Sequence, residues 1–353
     1  MLSRRPLSPI SIVIALAALT AAPIYAQVSP SMDSPNTPTR QRDQKPAPDD
    51  DQQQQLDQAP TIKASANLVN LFFTVRDKQG VPVSTLTQGD CTVSEDKQPR
   101  TLKSFGLVRN QSLTLGVLLD TSGSQQTLLP MEKEAAKEFL RQVLEPKTDQ
   151  AFVITFDISV DLAADYTAST SRLDHALDKA EINTGTGGGD FIPGLSKPGG
   201  TALFDAVYLA GHDEFKQEAG RHAMVLITDG QDEGSKEKIQ NAIEAAQRAD
   251  ALIFVLLMYD PRAYGTLGLG YAGDHDMKKL SDATGGHVYV IGHDGRKLEK
   301  AFDDLATALH TEYVATFTPQ NLDGKYHALE VSCKGDGLKV EARKGYYAVK
   351  PQD

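Results

Sequence analysis

Leu113-Thr114-Leu115-Gly116-Val117-Leu118-Leu119-Asp120-Thr121-Ser122-Gly123-Ser124 is the stretch on which the fold turns. Its first seven residues form an apolar run of strand length, and helical periodicity begins again from Pro130 to Leu144. A buried strand followed by a helix is the repeating unit of a doubly wound, mostly parallel sheet. The residues between them occupy a turn. There an aspartate followed by serines at alternate positions presents several hard oxygen ligands to a divalent cation. Asp120 and Ser122 are also ordinary helix-capping types, so this motif alone admits a purely structural role.

Two later segments extend the pattern. Gly199-Gly200-Thr201-Ala202-Leu203-Phe204-Asp205 places a threonine after a glycine-rich loop, and Val225-Leu226-Ile227-Thr228-Asp229-Gly230 ends a second buried strand in an aspartate and a turn glycine. With these three segments the chain resembles the von Willebrand factor A (VWA) family, whose metal-ion-dependent adhesion site (MIDAS) is written D-x-S-x-S, then T, then D. The matching positions are Asp120, Ser122, Ser124, Thr201 and Asp229. The resemblance implies that Ser122, Ser124 and Thr201 ligate the ion directly or nearly so, while Asp120 and Asp229 act through bound water and hydroxyl hydrogen bonds.

Hydroxyl ligands are neutral, so a cation held mainly by them keeps much of its charge and an open coordination position. A carboxylate of a partner protein can fill it. Mg2+ or Mn2+ suits this set better than Ca2+, which prefers a more anionic cage of higher coordination number. The function expected is therefore non-enzymatic binding or adhesion to a protein ligand that supplies an acidic residue. The alternative is a divalent-metal-dependent hydrolase built on the same Asp/Ser/Thr cluster. Hydrolysis needs a titrating base beside the metal with no metal duty, and none is evident in the three ligand segments.

The middle of the chain, residues 111–310, alternates strand and helix. Strands are expected at Leu113 to Leu119, Phe152 to Phe156, Ala223 to Ile227, Leu252 to Met258 and His287 to Ile291. Helices are expected at Met131 to Leu144, Arg172 to Ala180, Ala202 to Phe215, Lys236 to Ala249, Met277 to Ala283 and Leu298 to Leu309. The three ligand segments then fall at the carboxyl edge of the sheet, where ligands bind in this architecture.

Both flanks, residues 61–110 and 311–350, switch to a period of two. Val69, Leu71, Phe73 and Val75 alternate with their neighbours, as do Tyr313, Ala315 and Phe317, and Asp77-Lys78-Gln79-Gly80 and Asp323-Gly324 supply turns. Neither flank is long enough to stand alone, so the two are expected to form one small antiparallel β-sandwich with the α/β domain inserted between them. Phe73 to Gly80, Leu86 to Asp90, Thr284-Gly285-Gly286, Glu312-Tyr313 and Ala342 to Tyr346 sharpen the resemblance toward the VWA-related proteins of soil bacteria such as Acidobacteria. One departure is Cys91, where that group usually carries phenylalanine.

The amino terminus reads as an export signal. Residues 1–26 combine a basic start, an apolar core from Ile10 to Leu19 and a cleavage site before Gln27, with an uncleaved anchor as the alternative. Residues 27–60 are a linker rich in proline, glutamine and aspartate. The mature protein is thus expected to be secreted or periplasmic, with no membrane span after cleavage. A formal net charge of −11 argues against nucleic acid as a partner.

Other chemistry finds little support. Gly185 to Asp190 lacks the Gly-Lys-Ser or Gly-Lys-Thr of a phosphate loop and reads as a loop beside the metal site, and Asp274-His275-Asp276 reads as a helix start. The two cysteines, Cys91 and Cys333, lie one in each flank. If the flanks share a sandwich, the sulfurs can meet and close a loop of roughly 240 residues. Otherwise Cys91 is a small buried apolar residue unrelated to Cys333.

Overall fold

The computed structural model describes residues 68–109, 111–183, 200–260 and 273–350. The expected signal, linker and Gly185–Asp190 loop lie outside the described residues, all of which belong to the unit Lys63–Asp353. The alternating stretch near the start is strand β1 (Val69–Arg76), followed by β2 (Cys91–Glu95), β3 (Gln98–Arg100) and β4 (Leu102–Leu107). Asp77 builds the turn after β1, its carbonyl accepting from the Gly80 amide and its carboxylate from the Gln79 and Val81 amides.

The α/β part then runs β5 (Leu113–Asp120), α1 (Leu129–Val143), β6 (Gln150–Phe156), β7 (Val160–Thr167), α2 (Thr170–Lys179), α3 (Leu203–Leu209) and β8 (Arg221–Thr228). It continues with α4 (Ile239–Arg248), β9 (Ala251–Met258), α5 (Gly273–Thr284), β10 (Val288–Gly292) and α6 (Gly295–His310). Six strands form one sheet in the order β10-β9-β8-β5-β6-β7. Every neighbouring pair is parallel except the β6–β7 hairpin.

Continuous apolar sequence makes sense here because both faces of the sheet are covered. Leu115, Val117 and Leu119 of β5 pack with Phe139, Leu177 and Phe302 from α1, α2 and α6. Leu118, facing the other way, joins Leu203, Val207, Ala242 and Leu280 from α3, α4 and α5. Strands β5 and β9 are buried along their whole length.

Two features of the α/β part depart from expectation. The helix expected from Ala202 to Phe215 is regular only through Leu209, after which Ala210–Glu214 widens into a π turn and Phe215–Gln217 tightens into a 3-10 turn. Gly211 lies in the wide turn, where a Cβ would stand 2.7 Å from the Ala245 carbonyl carbon, so close backbone approach to α4 selects glycine. Strand β7 was not expected at all. It is an edge strand of mixed apolar and polar residues, buried only at Thr167.

The chain closes with β11 (Tyr313–Phe317), β12 (Tyr326–Cys333), β13 (Lys339–Ala342) and β14 (Gly345–Tyr347). Two four-stranded antiparallel sheets result, β13-β1-β11-β4 and β14-β12-β2-β3, each mixing strands from both ends of the chain. Phe73, Val75, Val93, Tyr313, Phe317, Leu329 and Tyr346 from both sheets share one core. Cys91 and Cys333 face each other in the β2–β12 register and are joined by a disulfide.

A buried polar network ties these sheets to the α/β part. Arg76 Nε donates to Glu341 Oε2 at 2.8 Å, Nη1 to Asp304 Oδ2 of α6 at 2.8 Å, and Nη2 to the Tyr289 hydroxyl of β10 at 3.1 Å. Lys339 Nζ and His287 Nδ1 each lie 2.8 Å from Glu341 Oε1. Arg343 adds a second tie, pairing with Asp250 and donating to the Asn70 carbonyl.

Burial disfavours the Glu341 carboxylate, but the hydrogen bonds from His287, Lys339 and Arg76 prevail and hold its pKa at about 2. A folded-state pKa below the unfolded 4.5 means that this stabilisation is complete above pH 4.5 and is lost as the pH falls toward 2. On the order of 3 kcal/mol is expected to disappear over that window. Urea titrations at about pH 6 and about pH 3 capture about 2 kcal/mol of it, and Glu341→Gln is expected to flatten this part of the acid profile.

Candidate functional site

Strand β5 ends in Asp120, a fully buried carboxylate with a bond to each oxygen. Oδ1 accepts from the Ser122 amide at 2.9 Å and Oδ2 from the Thr228 hydroxyl, at the end of β8, at 2.6 Å. Ser122 and Ser124 follow on a 3-10 turn, Gly123–Gln125, with their hydroxyl oxygens 3.1 Å apart. Neither Asp120 nor Ser122 caps α1, which starts six residues past Gly123, behind Leu128, with no side-chain cap; Ser122 holds the N-cap position of the 3-10 turn without a side-chain bond to it. Gln125 is buried and donates through Nε2 to the Met258 carbonyl at 3.3 Å, anchoring the turn to the end of β9.

Asp229 follows β8 directly and is buried, its Oδ1 accepting from the Gln231 amide at 3.0 Å. The Gly230 amide donates to Thr228 Oγ1, so Thr228 braces both aspartate segments. Thr201, also buried, immediately precedes the entry to α3. Its carbonyl accepts from the Glu233 amide at 3.1 Å, and the next amide, of Ala202, donates to the Asp157 carbonyl at 2.6 Å. Asp157 in turn accepts from the Thr121 hydroxyl at 3.2 Å. Asp205 accepts from the Lys236 and Glu237 amides, which fixes the loop after β8 against α3. The three segments quoted from the sequence therefore meet at the carboxyl ends of β5, β6 and β8.

The electrostatics of this meeting point are unfavourable for the protein alone. Burial, followed by the charge of Asp229, pushes the Asp120 carboxyl up to about 7. No trio of His, Cys, Asp or Glu among the described residues is grouped tightly enough to hold a metal by itself. A cation at this edge would have to be held by hydroxyl oxygens as well as carboxylates. The hydroxyls of Ser122, Ser124 and Thr201 are the oxygen donors of that kind.

One residue at this edge escaped the sequence reading. Glu132 lies on the core face of α1, on a stripe with Leu128, Leu129, Ala136, Phe139, Leu140 and Val143, and it is fully buried. Neither of its carboxyl oxygens has a hydrogen-bond partner. Burial and then the charges of Asp120 and Asp229 push its pKa well above the usual carboxylate range. The available signal was its position one turn from Leu128 and one from Ala136, inside the apolar stripe. Asp274 and Asp276, by contrast, sit in the first turn of α5, as expected of a helix start.

The model of the von Willebrand factor type A domain matches residues 115–304. Among curated proteins, calcium-activated chloride channel regulator 1 of Bos taurus is 25% identical over 243 residues, covering 68% of this chain and 24% of that protein. Calcium-activated chloride channel regulator 3A-1 of Mus musculus is 27% identical over 207 residues, 58% of this chain and 20% of that one. The chain thus spans about a quarter or less of the length of these relatives. Among solved structures, a von Willebrand factor type A protein from Catenulispora acidiphila is 15% identical with a TM-score of 0.43, covering 82% of this chain and 76% of that one. Proximal thread matrix protein 1 from the mussel byssus, with a zinc-occupied MIDAS motif, is 17% identical with a TM-score of 0.46, covering 61% and 50%. With the model spanning β5 to α6, more than half of its length, the chain belongs to the von Willebrand factor type A domain family.

Proposed function

We propose that this protein is an exported, non-enzymatic binding module that holds a divalent cation at Asp120, Ser122, Ser124, Thr201 and Asp229 and uses it to engage a carboxylate of a partner protein. The observation that carries this reading is the pairing of two serine hydroxyls 3.1 Å apart with the buried Asp120, whose carboxyl is raised by burial and by Asp229. Among the described residues no salt bridge reaches Asp120, and a cation beside it would offset its burial. Mg2+ or Mn2+ fits a donor set of few carboxylates and several neutral oxygens better than Ca2+ does.

A bound cation would supply a Lewis-acidic position for the partner's carboxylate. The chain's own residues orient that position: Thr228 and the Ser122 amide fix Asp120, and the Asp157 carbonyl fixes the amide next to Thr201. Hydrolysis is disfavoured, because Glu132 is fully buried and the Asp157 and Asp205 carboxylates are engaged by Thr121 and by the Lys236 and Glu237 amides, which leaves none of the three placed as a free base. Residues 1–26 as a secretory signal and 27–60 as a linker would deliver the module to the periplasm or the exterior. The flank motifs support the narrower kinship with the VWA-related proteins of soil bacteria.

Calorimetric titration of Mg2+ and Mn2+ into the wild type and Asp120→Ala is the test. The variant is expected to lose about 10–100-fold in affinity, as when a group that orients metal ligands is removed. Unchanged affinity would overturn the assignment. In the wild type, a cation at a hundredfold excess over its dissociation constant adds about 2.7 kcal/mol to the unfolding free energy.

A further inference from the structure

We infer that Glu132 is a sixth member of the cation site, a positioning residue that accepts hydrogen bonds from waters on the ion's protein side. The inference rests on the cation reading above and assigns that site a residue outside its sequence motif. Its starting point is an orphaned group. A carboxyl taken out of water without a partner costs several kcal/mol, and a water or ion that satisfies it is one of the few reasons a native fold retains such a group. Glu132 has zero exposure and neither oxygen is hydrogen-bonded.

The surroundings narrow what the missing partner is. Among the described residues, the charged groups that act on Glu132 are Asp120 and Asp229, both acidic, and its neighbours one turn away on the helix, Leu128, Leu129 and Ala136, are apolar. Asp120 and Asp229 accept hydrogen bonds of their own and offer Glu132 no donor, so its missing partner is a donor of another kind. The three carboxyls are not grouped tightly enough to hold an ion directly, so Glu132 would act at the distance of an intervening water. Magnesium keeps several of its waters when protein-bound, and a water polarised by the ion is a strong donor. Gln125, on the serine turn, presents a second buried acceptor of the same kind, its Oε1 also lacking a partner.

Two variants of the full chain test this, Glu132→Met, which removes both charge and acceptor, and Glu132→Gln, which keeps an acceptor and the shape. Calorimetry with Mg2+ or Mn2+ and thermal melting in chelator are the two readouts. The expected result is an affinity loss of about 10–100-fold for Glu132→Met and a smaller loss for Glu132→Gln. Without metal, Glu132→Met is expected to melt above the wild type, because an unpaired buried carboxyl has been removed. A purely structural glutamate gives the opposite pattern, in which the variants melt lower in chelator and bind the cation as tightly as the wild type does. That pattern, or equal affinities alone, overturns the inference. Should Glu132→Met not fold, affinity equal to wild type in Glu132→Gln together with an unaltered melt overturns it as well. Absence of cation binding by the wild type sinks the cation reading and this inference together, whereas binding that is lost in Asp120→Ala and intact in both Glu132 variants sinks only the latter.

Discussion

Replacing Cys91 and Cys333 with alanine is expected to lower the free energy of unfolding by up to about 5 kcal/mol. The two residues lie 242 positions apart, so the bridge closes most of the chain into a loop and removes many conformations from the unfolded ensemble. They also face each other across β2 and β12, where the sheet already brings their Cα atoms to 4.0 Å. The effect acts mainly on the unfolded state. The reduced protein should therefore show a steeper denaturant dependence as well as a lower midpoint, because its unfolded chain exposes more surface. Urea titrations of the wild type with and without reductant, beside the double variant, measure both quantities. Identical midpoints in all three would mean that no bridge forms.

Arg76→Ala is expected to cost about 3 kcal/mol, the low end of the range for breaking a buried ion pair by removing one partner. Arg76 is 3% exposed and joins β1 to Glu341 on β13, Asp304 on α6 and Tyr289 on β10. The loss stays near the low end because the stranded acids keep other partners. Glu341 retains Lys339 and His287, and Asp304 retains the Tyr289 hydroxyl. The Lys78–Asp336 pair is the control, since both of its side chains are mostly exposed. Lys78→Ala is expected to change stability by less than about 1 kcal/mol. Equal effects at the two positions, measured by urea unfolding, would contradict the role given to the Arg76 network.

The α/β sheet was legible because strands buried on both faces leave long apolar runs, as at Leu113–Leu119 and Leu252–Met258. Strand β7 was not, because an edge strand needs only one covered face and its sequence, Val160-Asp161-Leu162-Ala163-Ala164-Asp165-Tyr166-Thr167, mixes apolar and polar residues without alternation. The break after Leu209 was hidden for another reason: the backbone of α4 approaches Gly211 there, and a contact with a distant segment leaves no local pattern. At three residues each, β3 and β14 are too short for periodicity to register.

The candidate site divides in the same way. The order and residue types of its three segments could be read along the chain. The bonds that draw them together, from Thr228 to Asp120 and from Thr121 to Asp157, join residues 108 and 36 positions apart and follow only from the strand order. Glu132 stayed hidden because it stands beside Lys133 and Glu134, where one more charge reads as part of a solvated helix face. Its burial depends on how α1 lies against β5.

Anomalous scattering from crystals grown with Mn2+ locates the ion itself. The proposed function predicts one strong peak among Ser122 Oγ, Ser124 Oγ and Thr201 Oγ1, with Asp120 and Asp229 reaching it through water. A strong peak elsewhere, or none among these oxygens at saturating manganese, would contradict it.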